Sequence, residues 1–439
     1  MNLRVLALLM RPAPGQAGAL VLPTVAFALV TALVLSVVGG AQSFWTWSDP
    51  EAMTYQALAA IALVLLVVPL ANLGGAAARL AARRRDERLS TLRLLGVSSS
   101  GVMSATVIES TAVAALGAIV GVLGYLALVP LIGMIPFRGA ALGASAVLLS
   151  PLNVAIAFGC VLLLAGASAV MGLRQVIVSP LGVRMRTNVP KVHWIRAVLA
   201  VAFVAAAFAL ISVFPGTADL VFTVIVLTAL FAGAIAVLNL IGPWALKVHA
   251  KQGLRRAERP AKLLAARTVL DSPKAAWRQI SGVAMASFIA VFAGTGVAVM
   301  SKVDGSESAE NVMLADDIRT GLIITLIASF LMVAASVGVN QAATVLDQRD
   351  LYRSLHFLGM PVEVVESART RAVMSPLILT SAGSALCAGV LIFPLIGIAL
   401  IIAPESLVTI ISVIALGIGL VWAGVRVTRP LLAREFHAA

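Results

Sequence analysis

Arg83-Arg84-Arg85-Asp86-Glu87-Arg88-Leu89-Ser90-Thr91-Leu92-Arg93-Leu94-Leu95-Gly96 and Asp347-Gln348-Arg349-Asp350-Leu351-Tyr352-Arg353-Ser354-Leu355-His356-Phe357-Leu358-Gly359 are two charged islands in an apolar chain. A shift of 263 residues lays one on the other, pairing Glu87 with Asp350, Leu92 with Leu355, Leu95 with Leu358 and Gly96 with Gly359. Each reads as a short charged helix closed by a glycine. Each lies between long apolar runs, and those runs decide the fold class.

Of the 439 residues, 61% are hydrophobic and 12% charged, against roughly 25% charged in a soluble domain. Runs of about 20 apolar residues recur, the length that crosses a bilayer as a helix. The reading is an all-α integral membrane protein of ten transmembrane helices. The net charge of +13 then marks basic loops on one membrane face; it does not mark a nucleic-acid partner. Cys160 and Cys387 sit inside apolar runs without metal-ligand spacing. They read as small core- or lipid-facing residues, and no metal site is expected.

In order, the chain opens with a short interfacial segment, 1–16, and a first span at 17–38, read as a retained span and not a secretion signal because no small-residue cleavage site follows it. Trp45 and Trp47 rim the loop that follows. Further spans are expected near 55–73, 102–128, 152–173, 195–214, 220–241, 279–300, 320–339, 372–398 and 407–425. Gly117, Gly121 and Gly124 in the third span have the spacing that lets helices approach closely in lipid. A basic segment, 247–278, contains an amphipathic piece at Leu263–Arg267. The acidic stretch 304–317 reads as a solvated loop. With ten spans, all lysines and arginines except Arg138, Lys302 and Arg319 fall on one side, together with both termini and both charged islands. That side is expected to be cytoplasmic.

The pairing extends into a repeat. Pro130-Leu131-Ile132-Gly133 recurs as Pro394-Leu395-Ile396-Gly397, shifted by 264 residues. Residues 1–186 form one four-span unit, 187–246 a two-span linker and 247–439 a second four-span unit. An even number of spans per unit makes the copies parallel, so they can pack about an axis along the membrane normal.

A four-span unit with the pattern Glu-x-x-x-x-Leu-x-x-Leu-Gly after its second span resembles the FtsX/MacB-like permeases of ABC transporters. Glu87, Leu92, Leu95 and Gly96 carry the resemblance, and Glu109 matches an acid at the start of the third span. The second unit repeats it with Asp350, Leu355, Leu358 and Gly359, but has Ala372 where Glu109 would project. The 4 + 2 + 4 layout is similar to the bacitracin-efflux branch. The large extracellular domain of that branch is missing here, since the loops after the first and seventh spans hold about 16 and 20 residues.

The resemblance implies a permease subunit in a bacterial cell membrane, driven by a separate cytoplasmic ABC ATPase dimer that holds the ATP and Mg. The chain itself has no Gly-x-x-x-x-Gly-Lys-Ser/Thr phosphate loop, no catalytic set and no cofactor of its own. One copy per two ATPase subunits is implied, because both docking helices are in one chain. Leu89, Leu92 and Leu95 make an apolar stripe with Arg85, Arg88 and Arg93 around it, suited to a groove in a partner. Glu109 is open between a structural ion pair and a gating role. With so little outer surface, the expected substrate comes from the bilayer: a lipid, a lipid-linked molecule or an amphipathic peptide. The competing reading is a mechanotransmitter that moves nothing and regulates an outer enzyme or a sensor kinase. An ion-coupled transporter would need mid-membrane ionisable groups, and the spans lack them.

Overall fold

The computed structural model describes residues 17–49, 51–83, 99–178, 220–303 and 309–430. The first charged island beyond Arg83, the amino-terminal segment and the expected span at 195–214 lie outside the described residues. Among the described residues, nine helices are long and apolar enough to cross a membrane, and the strands amount to one two-residue pair. This is an all-α, multi-pass integral membrane protein. The helical form follows from the solvent: in hydrocarbon each backbone N–H and C=O must be paired within its own segment. The chain divides into two compact units, Met1–Thr187 with Val339–Ala343, and Asn188–Gly338 with Thr344–Ala439.

The first unit contains α1 (Ala17–Gln42), α2 (Ala52–Arg83), α3 (Ser99–Gly133), a short antiparallel pair β1 (Pro136–Phe137) and β2 (Ala140–Ala141), α4 (Ala144–Val147) and α5 (Pro151–Val178). Its main contact is α1 against α3, with α5 on α3 and α2. A Cβ on Gly117 would sit 2.6 Å from the Thr24 carbonyl oxygen, and one on Gly121 2.6 Å from that of Ala28. The backbone of α1 therefore occupies the space a side chain would fill. Lipid offers no hydrophobic drive between helices, so such close packing supplies the attraction. At the end of this pair, Tyr125 Oη donates to the Val147 carbonyl at 2.8 Å and accepts from the Leu149 amide at 2.9 Å. Tyr125 thereby fastens the connection between α3 and α5, and Leu35, Val129, Val147 and Leu149 close around it.

The second unit contains α6 (Leu220–Arg255), α7 (Pro260–Asp271), α8 (Pro273–Val303), α9 (Ala309–Asp347, apart from 339–343), α10 (Arg349–Phe357), α11 (Val362–Leu391), α12 (Phe393–Ile402) and α13 (Pro404–Arg426). The amphipathic piece at 263–267 lies in α7. Helix α8 touches α6, α11, α12 and α13, and every residue from 280 to 290 is buried. Small residues permit this, and hydroxyls join the helices: Ser287 Oγ lies 2.7 Å from Ser381 Oγ. Free Cys160 is exposed on α5, and free Cys387 is half-buried on α11.

Two expectations are corrected. The span at 372–398 is not one helix: α11 stops at Leu391 and α12 starts at Phe393, with Ile392 at φ −111° and ψ 28°. Pro394 has no N–H for the Val390 carbonyl, which removes a helical hydrogen bond there. The acidic stretch 304–317 is not a loop throughout. From Ala309 it is the start of α9, and Asp317 is 7% exposed. Residues 309–317 contain neither Gly nor Pro, and acids near a helix N-terminus are favourable, so the helix runs past the apolar stretch.

Candidate partner-docking site

The second charged island becomes α10, which follows α9 after a turn at Gln348. Its inner side is anchored by Tyr352, 4% exposed. Tyr352 is enclosed by Val345 of α9 and Val365 of α11, with Leu355, Met360 and Val362 packed around them. Its Oη donates to Gln348 Oε1 at 3.0 Å. Burial pushes the Tyr352 phenol above its ordinary range, and the nearby Arg369 charge offsets part of that rise.

The outer side exposes apolar side chains beside the polar Ser354 and His356. Leu351 is 51% exposed, Phe357 75% and Leu358 82%. Asp350 lies in the first turn of the helix. The helix closes at Gly359, φ +79°. There the Met360 amide donates to the Leu355 carbonyl at 3.0 Å and the Gly359 amide to the His356 carbonyl at 2.8 Å. This is a Schellman motif, and Met360 and Leu355 both pack against the Tyr352 cluster. The glycine holds a left-handed conformation that costs other residues free energy.

The leucine stripe of the first island, Leu89, Leu92 and Leu95, lies outside the described residues; in the second island the structure places Leu355 and Leu358 differently. Leu355 does not face outward; it is half-buried in the unit's own cluster. Leu358 does face outward, beside Phe357, which the reading of the leucines overlooked. The signal was available: Phe357 and Leu358 are an apolar pair immediately before a helix-ending glycine. Of the first island, Glu87, Arg88, Leu92, Leu95 and Gly96 lie outside the described residues.

Behind α10, polar contacts tie the foot of α11 to the residues just past the end of α13. Glu366 pairs with Arg429 at 3.0 Å, and Arg369 Nη2 donates to Thr428 Oγ1 at 3.1 Å. Val365 of the same helical turn touches the Tyr352 cluster. A displacement of α10 therefore meets α11 directly and α13 one contact later. Glu366 is thus engaged by Arg429. Glu109 lies half-buried on α3.

The first unit has a second polar cluster, at the connections between its helices. Arg138, at φ +52°, pairs with Asp49, and with Glu51 at 3.4 Å. Its guanidinium carbon stacks 4.2 Å from the Trp47 ring centre and 4.4 Å from that of Tyr55. Phe44 meets Trp47, Tyr55 and Phe137 in the same cluster. The Arg138 hydrogen bond holds the Asp49 carboxyl below its usual range, and the same pairing raises the Arg138 guanidinium. The cluster latches the α1–α2 connection to the β1–β2 turn. Nearby, Asn153 Nδ2 donates to Gln42 Oε1 at 2.9 Å. No group of three or more His, Cys, Asp or Glu among the described residues is placed to hold a metal ion. No protein-family model matches the chain, and no curated protein matches it.

Proposed function

We propose that this protein is the permease subunit of an ATP-binding cassette transporter of the FtsX/MacB-like kind. It would move a hydrophobic or amphipathic molecule out of the membrane using ATP hydrolysed by a separate ATPase dimer. The observation that carries the reading is α10. A helix anchored by the buried Tyr352, just past the end of a membrane-spanning helix, presents Phe357 and Leu358 bare, and exposed apolar tips on charged helices suit an apolar groove in a partner. The chain of contacts through Tyr352, Val365 and Glu366–Arg429 offers a path from that tip to α11 and α13. Duplication is supported by the pairing of α1 with α3 in one unit and α8 with α11 in the other. The docking residues in this reading are Glu87, Arg88, Leu92, Leu95 and Gly96, matched by Asp350, Leu355, Leu358 and Gly359. Leu355 acts from within, as part of the anchor.

Co-purification with ABC ATPases, followed by ATP turnover in lipid bilayers, tests the proposal. One chain per two ATPase subunits is expected, with turnover stimulated by a lipid or amphipathic peptide. A stable complex whose turnover responds to no such ligand would favour the mechanotransmitter instead. Failure to bind any ATPase would overturn both.

A further inference from the structure

Within the second unit, α6, α8 and α11 enclose an open cavity of about 770 Å³, inside the roughly 300–1,000 Å³ range of small-molecule sites. Its walls are apolar, as at Ile241 and Val248 of α6 and Leu386 and Val390 of α11. The lining of α6 runs from Val237 to Gln252, about 22 Å at the helical rise and enough to span one leaflet of roughly 15 Å. Trp244 and Trp277 lie along it; the Trp277 ring rests on Gly242 and its Nε1 donates to Asn239 Oδ1 at 3.1 Å.

Polarity and charge collect at one end. There His249 Nε2 and Ser375 Oγ are 2.8 Å apart, joining α6 to α11, and Gln252 completes the lining. Both helix faces continue past this end into cations. Arg255 follows Gln252 by three residues and Val248 by seven, which keeps it on the lining face. Arg371 precedes Ser375 by four residues, one turn beyond the His249 contact, and its Nε donates to Ser367 Oγ of the same helix at 3.2 Å. At the other end there is no such charge: residues 220–246 and 372–403 contain no lysine or arginine.

We infer that this groove is a binding site for an anionic phospholipid. The acyl chain lies along the apolar wall and the phosphate sits at the Arg255–Arg371 end. Basic pockets between membrane helices select anionic headgroups in this way, and an uncharged amphiphile would gain nothing from the cations. The inference requires only that α6 and α11 cross the bilayer, so it stands apart from ATPase docking.

The test uses the purified full chain in detergent, titrated with dioleoyl phosphatidylglycerol or dioleoyl phosphatidylcholine, with bound lipid counted by native mass spectrometry. Phosphatidylglycerol should bind more tightly, and R255Q combined with R371Q should cut that preference about 25-fold, roughly fivefold per cation. A Cβ on Gly383 would meet nothing within 4 Å, so Gly383→Leu should fill the groove and abolish binding without disturbing the fold. Val390→Trp repeats the occlusion from the uncharged end should Gly383→Leu not insert. Equal binding of the two lipids, or a preference that survives the double charge variant, would overturn headgroup selection. Unchanged phosphatidylglycerol binding in the occluded variants would overturn the site.

Discussion

Replacing Gly359 with valine isolates the conformational cost of closing α10. A Cβ at Gly359 would touch nothing within 4 Å, so no steric clash with a neighbour contributes. The residue sits at φ +79°. Valine has two routes. It can hold the left-handed conformation, at about 1–2 kcal/mol for an ordinary L-residue and more with a branched Cβ. Alternatively it can abandon the turn and lose the Met360–Leu355 and Gly359–His356 hydrogen bonds, together about 1–3 kcal/mol. Either route destabilises the local fold by about 2 kcal/mol, which raises its open population about 30-fold. Hydrogen exchange of amides 355–362 in lipid nanodiscs reads this directly and should accelerate by that factor. Gly383→Ala, also in open space but inside a helix, should leave exchange at 355–362 unchanged. Coupled ATP turnover should fall in Gly359→Val while membrane insertion stays intact. Wild-type exchange in Gly359→Val would refute the assigned cap, and wild-type coupling with accelerated exchange would refute the mechanical role of α10.

Tyr352→Ala should loosen the same helix by about 3–5 kcal/mol through the lost buried ring, whereas Tyr352→Phe should cost about 1 kcal/mol for its hydrogen bond to Gln348; exchange protection of α10 separates the two. Gly121→Leu should lower stability by about 1–3 kcal/mol through overpacking against α1, and Gly124→Ala should be nearly neutral because its Cβ would meet Ala32 at an ordinary 3.6 Å; thermal unfolding in detergent compares them. Arg138→Gln should cost about 1–2 kcal/mol from its two ring contacts alone, read as a lowered melting temperature. The Asp49 carboxyl is depressed in the folded state, so its share of stability is complete above the unfolded value of 3.8 and is lost as pH falls through the lower folded value. The melting difference between wild type and Arg138→Gln should therefore be full at pH 6 and shrink below about pH 4. A difference that grows on acidification would contradict the Arg138–Asp49 pairing.

Membrane residence, the helical class and the approximate place of each described span were legible in composition and run length. The reason is that a bilayer imposes one rule along the whole chain: about twenty apolar residues and an internally paired backbone. The close approach at Gly117 and Gly121 was also legible, because spacing alone puts small residues on one helix face. So was Gly359 as a helix end, since few residues tolerate its conformation. The direction of Leu355, the anchoring of α10 by Tyr352 and the capture of Arg138 by Trp47, Tyr55 and two carboxylates were decided only in three dimensions. Each depends on which distant segment packs against which face: Val365 against Tyr352, and the β1–β2 turn against the α1–α2 connection. The same holds for the break at Ile392. Pro130 rides inside α3 and Pro394 ends up at the start of a new helix, although both stand in Pro-Leu-Ile-Gly. Local sequence sets what a proline removes, while surrounding helices set whether the chain bends around the gap or stops there.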